Sequence, residues 1–66
     1  MLKAKDAQDL IDREARCRMK LKNSKEYEGT IFSMDHRCVI FEIEEDGQLE
    51  KILEAHSYIE SLEEIK

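Results

Sequence analysis

Two hydrophobic periods divide the chain. Ala7, Leu10, Ile11 and Ala15 recur at helical spacing, with Gln8, Asp9, Asp12 and Arg13 between them. This predicts a helix over about 6–16, in which Asp6 accepts a bond from a free backbone N–H as the cap. Acids in the first turns and Arg13 and Arg16 in the last suit the helix dipole. At Cys17 the period changes to two: Cys17, Met19 and Leu21 alternate with Arg18, Lys20 and Lys22, as in a half-buried strand with a basic outer face. Asn23-Ser24 reads as a turn, and a second strand is predicted from about Glu26 to Met34. Gly29 lies inside it, where glycine marks a bend, a bulge or a close backbone approach. After the polar break Asp35-His36-Arg37, the run CVIFEIEE is the strongest strand signal. Asp46-Gly47 reads as the following hairpin turn, since glycine accepts the positive φ required there.

The pattern from Leu49 onward fits two structures. Leu49, Ile52, Leu53, His56, Ile59, Leu62 and Ile65 form a helical stripe, and Ser57 with Glu60 resembles a capping box. The same residues divide into two strands, about 49–54 and 59–65, broken at Ala55-His56-Ser57. Residue propensity favours the helix, and the helix would leave a sheet of only three strands.

With 66 residues the chain makes one domain, taken as 1–66, whose core is thin enough to call for a partner subunit. Two cysteines provide no disulfide framework, so Cys17 and Cys38 are expected as free thiols in a reducing, cytoplasmic setting. No apolar run reaches the ~20 residues of a membrane span, and MLKAKDAQDL lacks the apolar stretch of a secretory signal. Net charge is −5, which speaks against a general nucleic-acid binder. The charge is split: residues 1–25 hold eight cations and four acids, residues 26–66 three cations and twelve acids. The stripe Arg16, Arg18, Lys20 and Lys22 could follow phosphates, but pairing with the acidic half is the better expectation.

The segment LKNSKEYEGTIFSMD, from Leu21 to Asp35, resembles the first motif of the Sm-like family, which includes the Sm, LSm and bacterial Hfq proteins. An alternating strand, a polar turn, Gly29 in the second strand and Asp35 six residues on have that motif's order. Leu53 to Ile65 is similar to the family's last strand pair, and the helix ahead of the first strand also fits. The resemblance implies a mainly β fold: a short N-terminal helix, then a five-stranded, strongly bent antiparallel small barrel over about 17–65. It also implies a homo-oligomeric ring of roughly five to seven copies, closed by heterologous contacts between strand edges. Single-stranded U- or A-rich RNA would lie along the inner rim. Two departures weaken that last implication. Val39 stands where the family usually has asparagine, and Glu54-Ala55-His56-Ser57 replaces the usual Arg-Gly turn.

The resemblance makes Asp35, His36, Arg37, His56 and Ser57 the candidate RNA-binding residues, with Gly29, Asp46 and Gly47 structural. Arg37 combines charge with a flat stacking face, and the alternative is a solvated turn arginine. His36 could stack on a base or serve as a polar turn residue. His56, on the apolar stripe, is expected to be packed and satisfied, and Asp35 to bond backbone groups in its own turn. Catalysis is not expected, because a chain this small has little room for a cleft and no carboxylate pair stands apart for acid–base work. The cysteines and histidines lack metal-ligand spacing, so no metal, other cofactor or small-molecule substrate is expected. Two functions remain: a ring that binds RNA weakly, or a protein-interaction and assembly module that has lost RNA binding.

Overall fold

The structure is a computed structural model that describes residues 4–65. The chain runs α1 (Ala4–Asp12), β1 (Arg16–Leu21), β2 (Glu26–Met34), β3 (Cys38–Glu45), β4 (Gln48–Ala55), a short 3₁₀ turn (His56–Tyr58) and β5 (Ile59–Glu64). It is a mainly β fold: one short helix followed by one antiparallel five-stranded sheet in the order β4-β3-β2-β1-β5. Lys3, counted above with the basic N-terminal part, lies outside the described residues.

The helix ends four residues earlier than its periodicity predicts. The N–H of Ala15 bonds the carbonyl of Leu10 at 3.0 Å and that of Glu14 bonds Ile11 at 3.1 Å. This is a Schellman termination, in which the turning residue adopts the left-handed conformation. Glu14 does so at φ 49. Ala15 is then buried but no longer helical, and Arg16 opens β1.

Residues 49–65 are two strands, not a helix. β4 pairs with β3 along its whole length, from Glu45↔Gln48 to Cys38↔Ala55. Long-range pairing overrides the local propensity for helix. The β3–β4 hairpin turns on Asp46 and Gly47, both at positive φ (52 and +79), the signature of a type I′ turn.

The expected closed barrel is not formed: β4 and β5 remain the two edges of an open sheet. The sheet is curved, since only His56–Tyr58 link one edge strand to the other. Here Met19, Val39 and Phe41 are fully buried beside Cys17, Leu21, Ile31, Ile59 and Leu62. The bend passes through Gly29. A Cβ there would fall on the Glu42 carbonyl oxygen, with the Glu42 carbonyl carbon at 3.0 Å and Ile43 Cα at 3.2 Å. β2 thus crosses β3 at a distance only glycine permits. Cys17 on β1 and Cys38 on β3 are unbridged, with β2 between them. No described helix is long and apolar enough to cross a membrane.

Candidate functional site

The turn between β2 and β3 is organised by Asp35. Its Oδ1 accepts the backbone N–H of Arg37 at 2.7 Å and of Cys38 at 2.9 Å. The Asp35 N–H in turn donates to the Cys38 carbonyl at 3.0 Å. Short acids close turns in this way. The Arg37 N–H, and after it the Cys38 N–H, hold the Asp35 carboxyl below its ordinary pKa by stabilising the charged form. Asp35 is therefore occupied with its own turn.

The β4–β5 turn is bonded to this one. The His56 N–H donates to the Arg37 carbonyl at 3.0 Å. The His56 ring places Nε2 2.6 Å from the Asp35 carbonyl. A carbonyl only accepts, so Nε2 carries the proton. Nδ1 is buried with no partner, so the expectation of a satisfied histidine holds for one ring nitrogen only. The two turns come together at one end of the sheet, and His36, Arg37 and Ser57 are exposed there. A shallow cleft of about 230 Å³ separates α1 from the first turn, lined by Ala7, Gln8, Ile11, Met34, Asp35 and His36. The Cys38 thiol beside it is pushed up in pKa, first by burial and then by Asp35. That environment works against a thiolate nucleophile. Among the described residues, no three His, Cys, Asp or Glu side chains are grouped to hold a metal ion.

The basic stripe on β1 does not form an open cationic track. Arg18 pairs with Glu28 of β2 at 2.9 Å, and Lys20 reaches Glu60 of β5 at 3.6 Å. In register, Arg18 also lies opposite Glu63 and Lys20 opposite Glu26. Arg13, just past the end of α1, forks onto Glu64 at 3.0 and 3.1 Å and also bonds Asp9. Arg13, Arg18 and Lys20 are thus matched by neighbouring acids, while among the described residues Arg16 and Lys22 of the stripe have no salt bridge. Like most exposed pairs, these contribute little to stability.

The opposite surface holds what the sequence reading missed. Phe32, Leu49 and Leu53 are 52%, 67% and 64% exposed. Ile40 and Leu53 are paired across β3–β4, while Phe32 falls at the irregularity between Ile31 and Ser33. Lys51 Nζ sits 4.4 Å from the centre of the Phe32 ring, a cation–π contact. Strict alternation from Ile31 places Phe32 on the outer face, which was the available signal. Leu49 and Leu53 flank Lys51 on β4, so the exposed apolar side chains lie on one face. Comparison with family models, curated proteins and solved structures returns no match.

Proposed function

We propose that the chain is an Sm-like protein-interaction module that recruits a partner strand at a free edge of its bent sheet. The observation that supports it is the open sheet: β4 and β5 each pair on one side only. An unpaired edge offers a row of N–H and C=O groups to another chain. The balance of charge agrees, since Arg18 and Lys20 of β1 pair with acids of β2 and β5. The module has no catalytic role in this reading.

A second reading is favoured by the junction of the two turns. In it, roughly five to seven copies close into a ring by pairing β4 of one copy with β5 of the next. Single-stranded U- or A-rich RNA then lies weakly along Asp35, His36, Arg37, His56 and Ser57. The His56–Asp35 contact supports it, because it holds both turns of the supposed rim together.

Native mass spectrometry with and without oligo-U and oligo-A separates the readings. The interaction module is expected to show no oligonucleotide adduct at moderate salt. A ring mass carrying an adduct that Arg37→Ala removes would overturn it in favour of the second reading.

A further inference from the structure

We propose that the free edge of β4 takes an extended, basic segment of another protein as a sixth, antiparallel strand. This rests on the interaction-module reading and names the chemistry of its partner.

β4 pairs with β3 from Gln48 to Ala55, and its other side is unpaired. Alternation gives this edge two rows. Glu50, Ile52 and Glu54 share the face of their β3 partners Ile43, Phe41 and Val39. Leu49, Lys51 and Leu53 share the outer face with Ile40 and Phe32. On the other edge Glu60 is paired with Lys20 and Glu64 with Arg13, and Glu63 lies in register opposite Arg18. Among the described residues, Glu50 and Glu54 have no salt-bridge partner, and the neighbouring cation Lys51 is drawn over Phe32. The β4 edge therefore carries unneutralised negative charge on one face and uncovered Leu49 and Leu53 on the other.

Cross-strand pairing converts this into a sequence requirement. A complement running antiparallel needs a cation opposite Glu54, apolar residues opposite Leu53 and Ile52, an acid or polar residue opposite Lys51, a cation opposite Glu50 and an apolar residue opposite Leu49. The chain's own β5 does not meet it. In the register that sets Leu62 against Ile52 and Glu63 against Lys51, Glu60 and Glu64 face Glu54 and Glu50. Like charges placed opposite each other are destabilising. A partner of the required pattern adds main-chain bonds along the edge and covers the apolar row that ends at Phe32.

The probe is a labelled peptide containing lysine–valine–isoleucine–glutamate–lysine–valine, titrated against the full chain by fluorescence anisotropy. Saturable binding is expected, weakened about tenfold or more in the Glu50→Lys, Glu54→Lys double variant. That variant should instead bind the peptide whose two lysines are replaced by glutamates. A peptide N-methylated at alternate residues keeps the charges but cannot form the ladder, and should not bind. Equal binding of the methylated and parent peptides would overturn the proposal by showing ionic attraction alone. Absence of binding by the parent peptide would overturn it too. So would a chain already assembled through β4, since the edge would then belong to a second copy. An RNA adduct lost in Arg37→Ala would refute the interaction-module reading instead, so the two failures are distinguishable.

Discussion

A single methyl group at Gly29 tests the bend on which the core depends. In Gly29→Ala the new Cβ meets the backbone of Glu42 and Ile43, and no flexible side chain is available to move aside. β2 must withdraw from β3 where their ladder begins, at Thr30↔Glu42. Overpacking of this kind costs ~1–3 kcal/mol. A buried ladder bond left unmade adds ~1–3 kcal/mol, for a total near 4. At ~0.05–0.15 kcal/mol per residue, the whole chain is stable by only about 3–10 kcal/mol. Urea unfolding followed by far-UV circular dichroism measures the loss. With a slope near the low end of ~1–3 kcal/mol per molar, the midpoint falls by about 2–4 M, or the variant is unfolded without denaturant. Gly47→Ala is the control. Its Cβ meets nothing within 4 Å, so only the strain of φ +79 opposes it. That strain costs ~1–2 kcal/mol. If Gly29→Ala costs no more than Gly47→Ala, the close approach of β2 and β3 is wrong.

Glu14→Gly is expected to stabilise the chain by up to ~1 kcal/mol, read as a higher urea midpoint, because it relieves the left-handed conformation at the helix end. Asp35→Asn keeps an oxygen for the Arg37 and Cys38 N–H groups but removes the charge. Because the folded carboxyl lies below 3.8, the wild-type advantage should be complete above that pH and vanish as pH falls through the folded value, in urea midpoints taken from pH 6 to pH 2. Both cysteines should alkylate without reductant, Cys38 well before the fully buried Cys17, as a mass time course would show. Both thiols are shifted upward by burial, so the rates should keep rising above pH 9.

The strand framework was legible wherever alternation met a turn signal. Cys17–Leu21 carries a period-two pattern, CVIFEIEE is rich in β-branched and aromatic residues, and Asp46-Gly47 punctuates the second of them. The helix boundary was not legible, because Ala15 and Arg16 fit the helical period and the termination uses a glutamate where glycine is usual. The β4–β5 region carried both periods at once, and pairing with β3 decided between them. At the candidate site, the Asp35 turn could be anticipated from residue type. The contact between Asp35 and His56 could not, since these residues are far apart in sequence and only curvature of the sheet brings them together. The acid rows beside the β1 cations were legible as composition but not as neighbours.

The position of β5 beside β1 governs the order in which the molecule can form. Three hairpins of the sheet join strands adjacent in sequence: β1 with β2, β2 with β3 and β3 with β4. Each needs only a short loop, so each can begin forming without the rest. The last ladder differs. Cys17 meets Glu64 and Met19 meets Leu62, so a strand near the start must wait for one near the end. Until then β1 offers an open, apolar edge, and Met19, Leu21 and Ile59 lack part of their core. That ladder joins the strands farthest apart in sequence, which places the slow step at the joining of β5. A ribosome-bound chain would therefore hold a meander with one side unprotected, and Leu62 would be among the last core residues to arrive.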